Sequence, residues 1–180
     1  IDVLDDAAVV AGIAQVEREF GPLDGMATVI GMAAWGSLLE MDMATWDQDQ
    51  NRNLRYFFLA AREVARSMIA RKAAGSIVCV GSVNGLLSAP HHGAYGAAKA
   101  GIWGFTRCVA LEGKKNKIRC YSLAPVAHTR LTGDLAGFQD PAMKDRMNPK
   151  LVSPLVVFLA SELAAELTDK TFMVGGGRIA

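Results

Sequence analysis

Apolar positions recur along this chain with alternating long and short periods. Val9, Val10, Ile13, Val16 and Phe20 fall at helical spacing behind Asp5 or Asp6, either of which can cap a first turn, and Gly21-Pro22 ends the helix. Residues 23–30 then read as a buried strand and residues 31–36 as a loop of small side chains. A long helical stretch opens at Met43-Ala44-Thr45-Trp46 and runs through Asn53 to residue 70, with Phe57, Phe58, Ala61, Val64 and Met68 on one stripe. The β-branched run at 76–80, bounded by Gly75 and Gly81, suits a strand buried on both faces.

After a loop to Pro90, residues 95–111 predict a second long helix. A surface turn follows at Gly113 and Lys114-Lys115-Asn116-Lys117, then a strand over 118–123. Residues 125–149 lose periodicity, a length of irregular chain that suits a lid over a site. Helix returns over 151–163, and residues 171–174 form a last strand before Gly175-Gly176-Gly177, which precede no helix and therefore form no phosphate cradle. Helix alternating with short buried strand predicts an α/β fold, a Rossmann-like doubly wound parallel sheet with helices on both faces, with no linker to a second domain.

Composition narrows the function. The chain has 180 residues, 51% of them apolar, and a net charge of +1, so it carries no electrostatic footprint for nucleic acid or an anionic membrane. Cys79, Cys108 and Cys120 are odd in number and set in apolar runs, which predicts buried reduced thiols rather than a disulfide framework. His91, His92 and His128 lack cysteine or carboxylate partners at ligand spacing, so no metal site is expected. No apolar run reaches membrane-span length and no signal-peptide core opens the chain, which points to a cytoplasmic protein.

The chemistry centres on Gly93-Ala94-Tyr95-Gly96-Ala97-Ala98-Lys99. A helix there puts a phenol and an ammonium on one face, and the cation is expected to favour the phenolate and suit Tyr95 to acid and base work. Ligand sites in such sheets gather at the carboxyl ends of the strands, where Gly31, Gly81-Ser82 and Pro125 fall. Ser82 lies on the loop that returns to the start of the Tyr95 helix, so both hydroxyls can converge on one pocket.

With these residues the chain resembles the short-chain dehydrogenase/reductase family. The matching segments are Asp2-Val3-Leu4-Asp5, Asn53 after Trp46, Gly81-Ser82, Tyr95-Gly96-Ala97-Ala98-Lys99, Ala124-Pro125 and Phe172-Met173-Val174-Gly175-Gly176-Gly177. The resemblance implies reversible hydride transfer between NAD or NADP and a carbonyl or alcohol carbon. In it Tyr95 exchanges the proton, Lys99 lowers its pKa and holds the nicotinamide ribose, Ser82 hydrogen-bonds the carbonyl, and Asn53 anchors a relay water. It further implies cofactor contacts at Asp2, Val3, Gly31, Tyr95, Lys99, Pro125 and His128. The substrate is a small carbonyl or alcohol, and the assembly a homodimer or homotetramer formed through the two long helices. The segment from Pro125 to Thr132 resembles hydroxyacyl-CoA dehydrogenase domains of multifunctional enzyme type 2, and 3-oxoacyl reductases share much of it. A pocket walled by His91, His92 and the lid over 126–149, with Phe138, Met143 and Met147, would suit a CoA-linked or medium-chain carbonyl.

The departures carry expectations of their own. Thr28-Val29-Ile30-Gly31 replaces the family's Asn-Asn-Ala-Gly, Tyr121 stands at a usual asparagine, and Val126 at a usual glycine. The first strands and the glycine-rich turn that binds pyrophosphate are not matched upstream of Asp2, so by resemblance residues 1–180 are expected to be the C-terminal two thirds of a single domain, with weak cofactor binding. Two functions are therefore consistent with the sequence: the larger part of an oxidoreductase, or a non-catalytic remnant or dimerisation module.

Overall fold

Residues 1–180 are described by a computed structural model of the chain, the side chain at position 136 excepted. Helix α1 spans Asp6–Phe20 and is capped by Asp5, whose carboxylate accepts the Ala8 N–H. Its apolar stripe is only half used. Val9 is buried against Leu59 and Ala60 of the next long helix and Gly12 against Ile1, whereas Val10, Val16 and Phe20 are exposed, contrary to the helical pattern.

Strand β1 is Gly25–Thr28, shorter than the predicted run over 23–30. It pairs only with β2, and Val29 and Ile30 beyond its end lie exposed, so the buried run predicted over 23–30 is not buried at its end. The second helical stretch has three parts: α2 over Met43–Gln50, a π-helical turn over Asn51–Arg55, and α3 over Tyr56–Arg71. Phe57, Ala61, Val64 and Met68 are buried as predicted, and Phe58 faces outward.

Strand β2 (Gly75–Val80) is buried nearly throughout, as is β3 (Ile118–Pro125). Between them α4 covers Gly93–Gly113. The irregular stretch after Pro125 holds more helix than its sequence shows, with 3-10 turns at Ala136–Phe138 and Pro149–Leu151 and a short helix α5 at Pro141–Arg146. The predicted helix over 151–163 is interrupted: α6 runs over Ser153–Ala160 and stops at Ser161, which caps a 3-10 turn at Glu162–Ala164.

The five strands lie in chain order. β1 to β3 and β4 (Lys170–Gly175) are parallel, with registers such as Ala27↔Val78, Val78↔Tyr121 and Leu123↔Phe172. The sheet is not wholly parallel. Gly176 and Gly177 take positive φ and turn the chain back into β5 (Arg178–Ile179), antiparallel to β4, so the three glycines make a hairpin.

Helices cover both faces of this Rossmann-like sheet. On one side α3 and α4 enclose Ile77, Cys79, Ile118 and Cys120 with Phe57, Val64, Met68 and Ile102. On the other, α6 packs Leu155 and Leu159 on Val78, Tyr121, Leu123 and Val174. Tyr121 is wholly buried, and its hydroxyl donates to Leu167 O at 2.7 Å and Ala164 O at 3.1 Å, tying the segment after α6 to the middle of the sheet. Cys79 and Cys120 are buried and free, while Cys108 is exposed, unlike its expectation. Among the described residues no helix is long and apolar enough to cross a membrane.

Candidate active site

The carboxyl ends of β1 and β2 open beside the first turns of α4, and the π-helical turn closes that space from below. Tyr56 N–H donates to Asn51 O, five residues back, which widens the helix at Asn53. Asn53 is fully buried. Its Nδ2 donates to Met32 O at 2.6 Å, to Asp49 O at 3.0 Å and to the Asp49 carboxylate, and its Oδ1 accepts the Met32 N–H at 3.2 Å. The side-chain amide thus reaches the carbonyl that a regular turn would bond through the Asn53 N–H.

Gly31 lies directly over this amide. A Cβ at position 31 would sit 2.7 Å from Asn53 Oδ1 and 3.2 Å from Lys99 Nζ, so the bare backbone lets two polar groups from different helices approach one point. Tyr56 holds the loop from the other side by donating its hydroxyl to Ile30 O at 2.6 Å.

Tyr95 and Lys99 enter from α4, 8% and 3% exposed. Lys99 Nζ donates to Val80 O at 3.1 Å and lies 5.5 Å from the Tyr95 ring centroid. Burial pulls its pKa down to about 8, against the opposing charges of Asp49 and Cys79. Tyr95 does not show the lowered pKa expected from a neighbouring ammonium. Burial holds its phenol above the ordinary value, the hydrogen bond with Ser82 works the other way, and the Asp49 charge adds to the rise. Ser82 is half-buried at the end of β2 and accepts the Asn84 N–H at 3.2 Å, which orients the loop between strand and helix.

One wall is aromatic. The His92 ring stands 3.8 Å from Trp35 and 5.9 Å from Tyr95 between centroids, and Asn84 meets its Nδ1 at 3.2 Å. Burial lowers the His92 pKa, so the ring is neutral near pH 7. His91 points outward, with a φ of 65°.

The fold therefore gathers Asn53, Ser82, Tyr95, Lys99 and Gly31 at one place. The other predicted contacts lie apart from that cluster or have their polar groups engaged. Asp2 is exposed and its carboxylate accepts the Leu4 N–H, while Val3 packs on the α3 core. Pro125 ends β3, and His128 follows with its N–H spent on Met147 O at 2.7 Å and its ring 6.2 Å from Phe138. Asp49 is the functional candidate that sequence reading missed. It is 3% exposed, and one acid in a helix produces no periodic signal. A cavity of about 1060 Å³ lies elsewhere, between α3 and α4, lined by Phe58, Ile69, Phe105 and Leu111 among others.

A Tyr–Lys pair on the helix after the second of four parallel strands, with serine beyond that strand's end and asparagine in a widened helix opposite, stands at the carboxyl edge of a Rossmann-like sheet. Residues 1–178 match the family described as enoyl-(acyl carrier protein) reductase, and the chain belongs to the short-chain dehydrogenase/reductase family of oxidoreductases. It is 34% identical over 192 residues to "Inactive 2-(S)-hydroxypropyl-CoM dehydrogenase 2" of Xanthobacter autotrophicus, a match covering 99% of this chain and 83% of that protein. It is 31% identical to the 3-oxoacyl-[acyl-carrier-protein] reductase FabG of Vibrio harveyi, over 98% of this chain and 75% of the other. Among solved structures, a short chain dehydrogenase from Mycobacterium avium superposes with a TM-score of 0.87 at 28% identity, covering 99% of this chain and 60% of that one. Sorbitol-6-phosphate 2-dehydrogenase SrlD from Erwinia amylovora gives 0.86 at 26% identity, over 98% and 77%.

Proposed function

We propose that this protein is an NAD(P)-dependent oxidoreductase that interconverts a carbonyl and a secondary alcohol, with a 3-oxoacyl or 3-hydroxyacyl thioester as substrate class. The observation that carries this reading is the convergence of Asn53, Ser82, Tyr95 and Lys99 around the recess above Gly31.

The residues present fit the nicotinamide half of the cofactor. Lys99 has three N–H donors and bonds one carbonyl, which leaves donors for ribose hydroxyls, and the missing Cβ of Gly31 lets Asn53 and Lys99 converge on one point beside them. Tyr95 and Lys99 would hold the ribose, with Gly31 beside it. Asp2 and Val3 would lie toward the adenine, and Pro125 and His128 toward the nicotinamide. Hydride chemistry at the carbonyl carbon is supplied by bound NAD or NADP.

In the reductive direction the Tyr95 hydroxyl donates its proton to the substrate oxygen as charge develops there. The Ser82 hydroxyl donates a hydrogen bond to the same oxygen. A phenol held protonated by burial is suited to act as this acid, and Lys99 beside it compensates the phenolate left behind. Asn53 anchors the water that returns the proton. The thioester assignment is supported by the likeness to the 3-oxoacyl reductase of Vibrio harveyi and by the segment after Pro125.

The test is turnover of an acetoacetyl thioester with NADH and with NADPH, compared with Tyr95→Phe. Loss of turnover in the variant is expected, and equal rates would remove Tyr95 from the mechanism.

A second reading, a non-catalytic or assembly role, is favoured by the cavity between α3 and α4, where Phe58, Ile69 and Leu111 are exposed, and by the inactive relative from Xanthobacter. A second copy packing its own α3 and α4 there would give the homodimer or homotetramer.

A further inference from the structure

Asp49 is a buried acid on the last turn of α2, at a site lined by the polar groups of the reaction. Among the described ion pairs it has no partner. A buried carboxylate is costly unless hydrogen bonds satisfy it, and here both oxygens are used: one accepts the Ala34 N–H at 3.1 Å and the other accepts from Asn53 Nδ2.

That second bond reinforces a choice that shape alone leaves open and that the Met32 N–H and the Met32 and Asp49 carbonyls also require. The two ends of a primary amide are nearly equal in size, so Asn53 could sit either way round. A carboxylate only accepts, so it requires Nδ2 to face it. Oδ1 is then turned to the Met32 N–H and to the point beside Gly31 that Lys99 Nζ also approaches. The same carboxylate ties the loop of residues 31–34 to the π-helical turn.

We propose that Asp49 is a positioning residue of the proton-transfer site: its carboxylate holds the Asn53 amide and the loop of residues 31–34 together, with Asn53 Oδ1 turned toward the point that Lys99 Nζ approaches, and sets a carboxylate charge beside that point. The inference rests on the dehydrogenase reading above.

The charged and titratable groups around this pair come from several elements. Arg52 of the π turn and Lys99 of α4 act on Asp49, while the Asp49 charge is felt by Tyr95 and by His92 at the start of α4. Cys79 of β2 acts on Lys99. Burial is the largest influence on Asp49 and raises its pKa. The Ala34 N–H, Asn53, Lys99 and Arg52 oppose it, in that order. For Lys99 the largest influence again is burial, and Asp49 is the foremost group opposing it.

The experiment is Asp49→Asn in the full chain, with the Lys99 amine followed by NMR of ¹³C-lysine-labelled protein across pH. The Lys99 titration midpoint should fall by about one unit in the variant, and the alkaline limb of kcat should move down with it. The value of kcat should fall roughly tenfold or more with KM nearly unchanged, and Asp49→Glu should restore the Lys99 midpoint in part. An unchanged Lys99 midpoint and alkaline limb in a folded Asp49→Asn protein would overturn the proposal. Should that variant not fold, the ¹³C carboxyl resonance of Asp49 in the unaltered chain decides. A carboxylate across the pH range of turnover supports the role, and a protonated acid there refutes it. Tyr95→Phe separates the two claims: an inactive phenylalanine variant beside an Asp49→Asn protein with unaltered titration removes only the positioning role. Full activity in Tyr95→Phe removes the dehydrogenase reading and this inference with it.

Discussion

Replacing Gly31 with alanine tests whether the site is held as tightly as its contacts indicate. Position 31 is not among the residues with positive φ, so alanine meets no backbone penalty there and the effect is one of space. The new methyl would lie 2.7 Å from Asn53 Oδ1, well inside the ~3.3 Å at which carbon and oxygen ordinarily come closest. Asn53 cannot move aside, because its amide is bonded to both polar groups of Met32 and to Asp49. The loop must therefore lift, which strains the Tyr56 hydrogen bond to Ile30 O.

Overpacking of this kind costs about 1–3 kcal/mol, and each neutral hydrogen bond lost adds about 1 kcal/mol. With a urea m-value of about 2–3 kcal/mol/M for a chain of this size, the midpoint should fall by about 0.5–1.5 M, read by tryptophan fluorescence. Turnover should fall at the same time, since the lifted loop breaks the bonds between Met32 and the Asn53 amide. Gly104→Ala is the control, an exposed position inside α4 with nothing within 4 Å of the added methyl, and it should stabilise by about 0.5–1 kcal/mol. A Gly31→Ala protein that melts at the same urea concentration as the parent and keeps its rate would show that the recess is not closed in the way described.

Tyr121→Phe should destabilise by about 1–3 kcal/mol in urea melts, because Leu167 O loses the hydroxyl as its donor and Ala164 O is left with the Leu167 N–H alone; a neutral result would mean that the segment after α6 is held otherwise. Lys99 gives a pH signature of definite sign. Its folded pKa of about 8 lies below the ordinary lysine value, so between about pH 8 and 10 the unfolded chain binds more protons than the folded one and stability rises with pH. The gain is on the order of 3 kcal/mol. Above about pH 10, Tyr56 and Tyr95, whose pKa values burial raises, act in the opposite sense. Urea midpoints at pH 7.5 and 9.5 should differ more in the parent than in Lys99→Met, and equal differences would exclude a lysine buried as described. Phe58→Glu, which puts a charge into the cavity between α3 and α4, should convert a dimer to monomer in sedimentation without lowering the melting point; a parent chain that already sediments as a monomer would refute that face as the contact.

The sequence exposed the parts of the fold that depend on one neighbour and concealed those that depend on several. The stripe of Phe57, Ala61, Val64 and Met68 faces a single surface, so its period reveals both helix and burial. Val29 and Ile30 are as apolar as any core residue, yet lie exposed because β1 is bonded along one side only, and no local pattern states how many strands a strand will meet. Asn53, Ser82, Tyr95 and Lys99 could be picked out by spacing within a known family, since three of them sit within eighteen residues of one another. Asp49 carried no such mark, because its role depends on the Ala34 loop and the Asn53 amide, which only the folded chain brings to it. The same holds for the Tyr95 phenol: proximity to Lys99 is legible in the spacing, but the depth of burial that overrides it is not.

The widened turn at Asn51–Arg55 has a consequence for how this helix can change in length. A π turn accommodates one residue more than the α-helical ladder around it, so α2 and α3 are two regular helices phased one residue apart. Deleting a single residue within the turn would let the two run together as one continuous helix, with better backbone bonding and unbroken amphipathic phase. Such a shortened chain should melt higher than the parent and lose the amide beneath Gly31. The extra residue is a point at which the polypeptide gives up helical regularity to place a side chain where no straight helix could put it.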